Sequence, residues 1–196
     1  NSYYNSYNPA AKATDDSFIL YFYNNELLCH ADGNIKSLEN SIPGKAGDEE
    51  VFWHLPTFKE IDNIISITPD KLVYLFKMKI DNKERDFFLL TDYKLLDKTL
   101  FDYTCITSAK SYTENNLNDS MDKNLYYLPA LKFRSLKPLN ISFAVITAWQ
   151  LYTWYRDNKY CGRCGQETML DNKERMVKCP NCNNMIYPKI CPGVIV

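Results

Sequence analysis

Short blocks of aromatic and aliphatic residues alternate with polar turns through the first half of the chain. Phe18-Ile-Leu-Tyr-Phe-Tyr23 leads into Asn24-Asn25 and then Glu26-Leu-Leu-Cys29. This predicts a β-hairpin, because asparagine at both turn positions tolerates positive φ. The run Leu72-Val-Tyr-Leu-Phe-Lys-Met-Lys-Ile80 reads as a strand, turned by Asp81-Asn82-Lys83 into a second strand at Phe87–Leu90. Both have the β-branched and aromatic content of strands. Between these blocks the pattern predicts loops, over 31–50 with its Pro43-Gly44 step and over 107–124 with its asparagine pairs. Residues 1–16 are polar and tyrosine-rich and are expected to form a flexible arm.

The pattern then changes period. After an extended connector from Phe133 to Leu139, broken by Pro138, apolar residues recur at Ile141, Val145, Ala148, Tyr152 and Tyr155. That i, i+3, i+4 spacing predicts a helix over 141–160, capped by Asn140 or Ser142. Phe143, Ile146, Trp149 and Trp154 extend the apolar surface nearly all round it, so burial against two partners is expected. Past Tyr160 the chain breaks into short pieces punctuated by Cys, Gly and Asn. The expected layout is a flexible arm at 1–16, an N-terminal α+β domain at 17–140, a connecting helix at 141–160, and a small module at 161–187. The fold class is α+β: a mixed sheet-and-helix domain followed by a β-hairpin module.

That module holds the clearest chemistry. Cys161-Gly-Arg-Cys164-Gly165 and Cys179-Pro-Asn-Cys182-Asn183 are separated by 14 residues. Two residues between paired cysteines let the backbone curl so that both thiolates reach one ion. Gly165 and Asn183 follow the two turns, where positive φ is needed. The spacer is expected to fold as a hairpin with Glu174–Lys178 as one strand. Cys161, Cys164, Cys179 and Cys182 would fill a tetrahedron, so the zinc is structural and no position is left for a substrate. Cys29 and Cys105 read as small core residues. Cys191 lies nine residues beyond Cys182 and is not counted as a ligand.

Composition narrows the function. The chain has 196 residues, 45% of them hydrophobic, and a formal charge of −1. That balance argues against a general electrostatic grip on nucleic acid. No run of about 18 apolar residues exists, so no membrane-spanning helix is expected. Seven cysteines, four of them in Cys-x-x-Cys pairs, favour a metal site in a reducing, cytoplasmic setting over a disulfide framework. There is no P-loop and no Gly-x-Gly-x-x-Gly. The two histidines, His30 and His54, read as ordinary polar residues, and Glu49-Glu50 sits in a loop rather than in a helical carboxylate array.

The stretch from Tyr152 to Gly165 resembles the helix-to-ribbon junction of the NADH pyrophosphatases. These are Nudix hydrolases, also described as decapping enzymes for NAD-capped RNA. The run from Cys179 through Tyr187-Pro188 to Val196 resembles that family's second cysteine turn, its Tyr-Pro element and the first strand of the Nudix domain. Arg134-Ser-Leu136 resembles the connector before the long helix. The likeness covers about 133–196 and is weak before that. It implies an NAD(H) diphosphatase that splits NADH, NAD or the cap of NAD-capped RNA into NMN and AMP, built as a homodimer. It implies zinc on Cys161, Cys164, Cys179 and Cys182, and substrate contacts at Glu174, Tyr187 and Arg134. It also implies Mg2+ or Mn2+ held by the glutamates of a Nudix domain. No such segment occurs here: residues 188–196 would be that domain's start, so the chain is expected to be part of a longer enzyme, inactive alone, with no catalytic residue of its own. The rival reading is a standalone zinc-ribbon module that binds nucleic acid or protein. Seven Lys/Arg against four Asp/Glu over 156–189 favour it.

Overall fold

The computed structural model describes residues 2–32, 52–91 and 125–189. Cys105, Cys191, Glu49-Glu50 and the loop expected over 107–124 lie outside them, as do residues 190–196.

The architecture is α+β. Strand β1 is Tyr3–Tyr4, β2 Phe18–Leu20, β3 Phe22–Tyr23, β4 Glu26–Asp32 and β5 Phe52–His54. Helix α1 is Phe58–Ile65, followed by β6 at Leu72–Ile80, β7 at Lys83–Leu90, β8 at Leu125–Pro129 and helix α2 at Leu139–Asp157. One sheet has the order β1-β6-β7-β2. In the other, β4 pairs with β8 on one edge and with β3 and then β5 on the other. The chain passes from one sheet to the other at Tyr21, which is fully buried.

Both predicted turns form. Asn24 and Asn25 have φ of 45° and 67°, and Asp81 and Asn82 have 47° and 65°. Two successive positive φ values give a turn whose twist matches that of paired strands. β7 begins at Lys83, earlier than its apolar run, because the ladder with β6 is continuous out to Ile80–Lys83. Ala31 and Asp32, expected in a loop, belong instead to β4 and pair with Trp53 and Phe52; the rest of that expected loop lies outside the described residues. The arm also differs from expectation. Tyr3 and Tyr4 pair with Met78 and Lys77 on the free edge of β6, and the Tyr3 ring packs on Phe76. An unpaired edge strand offers backbone donors and acceptors, and the tyrosine-rich arm takes them up.

Two buried clusters fill the domain. Phe22, Leu75, Phe76, Phe87, Leu128 and Phe133 form one with the inner face of α2. Tyr21, Leu28, Tyr74 and Phe88 form the other with Ile61 of α1. Helix α2 starts two residues before Ile141. Pro138 stands at its cap with no side-chain hydrogen bond. Ser142 does not cap: its hydroxyl donates to Leu136 O at 2.7 Å, from a buried position. The helix buries Ile141, Ala144, Val145, Ala148 and Tyr152, with Ile146, Trp149, Leu151 and Tyr155 partly buried against the same cluster, while Phe143 is 53% exposed. The apolar ring of α2 is wider than the face the domain covers. No helix among the described residues is long and apolar enough to cross a membrane.

Candidate metal centre

The module after α2 is built around two turns of matching geometry. In the first, Cys161 N donates to Gln166 O at 2.8 Å and Gly165 N to Cys161 O at 2.8 Å. In the second, Cys179 N donates to Asn184 O at 2.9 Å and Asn183 N to Cys179 O at 3.0 Å. The residue closing each turn is left-handed, with φ of 76° at Gly165 and 57° at Asn183. A side chain that favours neither glycine's freedom nor asparagine's tolerance would strain the loop there.

The turns face each other and bring the four sulfurs within 4.8 Å of one another. Cys161 Sγ lies 3.6 Å from Cys182 Sγ, and Cys164 Sγ lies 3.4 Å from Cys179 Sγ. A disulfide needs about 2.05 Å. Sulfurs about 2.3 Å from one tetrahedral ion sit about 3.8 Å apart, so the observed spacing fits a shared zinc. Main-chain N–H groups point at the sulfurs, Arg163 N at Cys161 Sγ (3.4 Å) and Cys182 N at Cys179 Sγ (3.5 Å). The Asn184 side-chain amide also reaches Cys161 Sγ, at 3.7 Å.

These donors set the thiols apart. The Arg163 N–H, then that of Cys164, bring the Cys161 thiol down to about 6. The Gln166 N–H, then Asn181, lower Cys164. At Cys182 the Asn184 N–H lowers the value, but burial and the three neighbouring sulfurs outweigh it and push the thiol up to about 11. The cluster ionises its first thiols readily and resists the last negative charge. A divalent cation at the centre removes that resistance, and a four-sulfur donor set of this spacing suits zinc.

Three short strands carry the turns: β9 at Met169–Leu170, β10 at Val177–Lys178 and β11 at Met185–Ile186, with β10 in the middle. Glu174 was expected on a strand. It lies instead in the β9–β10 turn, where Asp171 Oδ1 accepts from Lys173 N (2.7 Å) and Glu174 N (2.9 Å). An Asp bonding the backbone two and three residues on favours a turn over a ladder. The turn brings two of the predicted substrate residues together. Tyr187 Oη donates to Glu174 Oε2 at 2.8 Å, and that bond, followed by partial burial, raises the tyrosine's pKa. Arg134 is not part of this pair. It stands exposed at the end of a 3-10 turn, Ala130–Arg134, before α2, and makes no hydrogen bond or ion pair to either residue among the described residues.

The ribbon is seated by contacts that sequence reasoning did not anticipate. Thr168 closes the end of α2, its N–H donating to Lys159 O (2.9 Å) and its hydroxyl to Asn158 O (2.7 Å). The register of β6 against β7 slips between Tyr74 and Phe76, leaving Leu75 as an extra residue. Arg175 Nη2 donates to the Leu75 carbonyl. The Arg175 guanidinium also lies 5.5 Å from the Tyr7 ring, and Tyr7 Oη donates to Asp171 O at 2.9 Å. The arm, the bulge and the ribbon turn thus meet at one guanidinium. The only advance signal was a basic residue beside Glu174, which by itself reads as a solvated charge.

Residues 156–187 match the family model of the NADH pyrophosphatase zinc ribbon domain. The NAD-capped RNA hydrolase NudC of Pseudomonas aeruginosa (strain LESB58) is 39% identical over 49 residues, which is 25% of this chain and 18% of that protein. NudC of Mannheimia succiniciproducens is 41% identical over 49 residues, 24% of this chain and 18% of that protein. NudC of Escherichia coli O1:K1 / APEC is 43% identical over 47 residues, with the same 24% and 18%. The matched stretch spans less than a fifth of each relative's length. It is the stretch that carries the two cysteine turns, and over residues 156–187 this chain is similar to the zinc ribbon domain of the NADH pyrophosphatases.

Proposed function

We propose that this chain is the N-terminal and zinc-ribbon part of a cytoplasmic, homodimeric NAD(H) diphosphatase. The enzyme hydrolyses the pyrophosphate of NADH, NAD or an NAD cap on RNA to NMN and AMP. The observation that carries the reading is the Tyr187–Glu174 pair. A phenol ring and a carboxylate, hydrogen-bonded at 2.8 Å, stand exposed on a hairpin that the four-cysteine cluster pins in place. Tyr187 presents an aromatic face against which a base can stack. Glu174 is already held in an accepting role by the tyrosine hydroxyl, and its second oxygen is suited to a ribose hydroxyl or a base amino group. Arg134, exposed before α2, is the residue suited to pair with phosphate. Mg2+ or Mn2+, held by glutamates of a Nudix domain beyond Val196, would activate the attacking water and neutralise the pyrophosphate. The ribbon's own role is to bind and orient one nucleotide half.

The experiment uses the protein of the uninterrupted reading frame, zinc-loaded, with NADH, NAD or NAD-capped RNA and Mg2+ or Mn2+. NMN and AMP are expected by chromatography. Tyr187→Ala should raise KM much more than it lowers kcat, because stacking is made with substrate and transition state alike. Folded, zinc-loaded protein that turns over none of the three substrates overturns the proposal.

A further inference from the structure

A second set of metal-binding side chains lies away from the ribbon. His30 on β4 and His54 on β5 are direct partners in the antiparallel ladder, so their side chains leave the same face of the sheet. Three residues after β5, Thr57 starts α1, and Glu60 sits in that helix's first turn. One donor atom from each of His30, His54 and Glu60 lies within 4.8 Å of the others. His30 is 3% exposed, Glu60 is half-buried and His54 is exposed.

The carboxylate is aimed. Glu60 Oε2 accepts from Thr57 N at 2.6 Å and from Thr57 Oγ1 at 2.7 Å, closing the helix cap. That leaves Oε1 turned toward His30 Nε2, at 3.8 Å. Bonds of this kind orient a ligating carboxylate and fix which oxygen is presented. The 3.8 Å separation is too long for a hydrogen bond. It is close to the roughly 3.4 Å between two N/O ligands of one tetrahedral ion with bonds of about 2.1 Å. The His30 and His54 rings stack, with centroids 4.4 Å apart and planes 16° from parallel. Parallel rings do not point their nitrogens at one centre. Sharing an ion requires the His54 ring to turn about its Cβ–Cγ bond, and its exposure allows this without disturbing the core.

We propose that His30, His54 and Glu60 form a second metal site, specific for a borderline divalent transition ion of the zinc, cobalt or nickel class. Two imidazoles and a carboxylate suit those ions, whereas magnesium and calcium take oxygen ligands. Three protein ligands leave a coordination position on the His54 side open to water. The ion clamps β4, β5 and the first turn of α1 to one another, and it is independent of the cysteine cluster in both ligands and location.

The test uses the untagged chain, stripped of metal and titrated with zinc, with metal per chain measured by mass spectrometry and the same titration repeated with Co2+. Wild type should take up one ion beyond that held by the cysteines. With Co2+ the first ion gives the strong sulfur-to-metal absorption of a thiolate site, and the second adds only weak bands in the visible. His54→Ala should lose the second ion and keep the first. Glu60→Gln should weaken the second ion by at least about tenfold, while its amide oxygen preserves the helix cap. Circular dichroism and the retained thiolate absorption verify that each variant is folded. Saturation of the wild type at the ribbon's ion alone overturns the proposal, and so does an additional ion retained in both variants.

Discussion

Replacing Arg175 with methionine tests how much its guanidinium contributes to seating the ribbon on the N-terminal domain. Methionine keeps the length of the apolar stem and removes the charge and the donors. The wild-type side chain donates to the Leu75 carbonyl, at the point where the β6 ladder has slipped and that oxygen is outside the strand pairing. A hydrogen bond from a charged group to a partly buried acceptor is worth about 1.5–3 kcal/mol, and its loss leaves the acceptor unsatisfied. The cation–π contact with Tyr7 at 5.5 Å adds about 0.5–1 kcal/mol. Partial desolvation of the guanidinium opposes both, so the expected loss is about 2–3 kcal/mol. In a chain of this size that corresponds to a fall in Tm of about 2–4 °C for each kcal/mol. The assay is urea unfolding followed by tryptophan fluorescence, since Trp53, Trp149 and Trp154 all lie in the N-terminal domain and α2. A double-mutant cycle with Tyr7→Leu isolates the ring contact, with a coupling energy of about 0.5–1 kcal/mol. Zinc content should be unchanged, because Arg175 touches no sulfur. A loss below about 0.5 kcal/mol, the scatter of ordinary surface substitutions, refutes the assignment of Arg175 as the brace.

Other outcomes follow from the same geometry. Cys179→Ser should abolish stoichiometric zinc in the ribbon and unfold it while the N-terminal domain persists, seen as loss of protection from proteolysis confined to residues after α2. Zinc binding at pH 7 should release fewer than four protons, because the Cys161 thiol, held down to about 6, is already largely ionised there. As the pH falls through about 6, that thiol takes up its proton, the ion must displace it again, and affinity drops more steeply. Calorimetry in buffers of different ionisation enthalpy counts the protons. Phe87→Ala, at a fully buried position between the sheets and α2, should cost about 3–5 kcal/mol in denaturant unfolding. At the β6–β7 turn, Asn82→Gly should be neutral within about 1 kcal/mol, whereas Asn82→Val should cost about 1–2 kcal/mol, since φ is 65° there.

What the sequence reveals depends on how local the cause is. Asn24-Asn25 and Asp81-Asn82 dictate their turns from adjacent residues, and both turns form with the left-handed backbone their composition suggests. The cysteine turns are equally local: two residues between thiols and a Gly or Asn after them are enough to place each sulfur pair. The facing of one turn toward the other follows from a short hairpin. Helix α2 was legible as a helix, but not its cap or its exposed face. Those depend on where Leu136 O and the domain surface happen to lie. The arm's pairing with β6 was invisible, because two tyrosines in a polar segment carry no periodicity.

The same reasoning explains why the two candidate sites differ so much in legibility. In the ribbon, four like residues at fixed short spacings announce their purpose. His30, His54 and Glu60 are brought together by strand register across the 19 residues between β4 and β5, a connection that has no pattern linking its ends. Only the short step from His54 to Glu60 is local, and it reads as the entry to a capped helix. The Tyr187–Glu174 pair stands between these cases. Its partners are 13 residues apart, joined by a hairpin whose strands are two residues long and have little stability of their own. Zinc supplies the missing stability. Removing the metal should therefore separate Tyr187 from Glu174 and return the tyrosine's raised pKa to its ordinary value before the N-terminal domain changes. A Tyr187 titration unaltered by chelation would show that the hairpin holds the pair without its zinc.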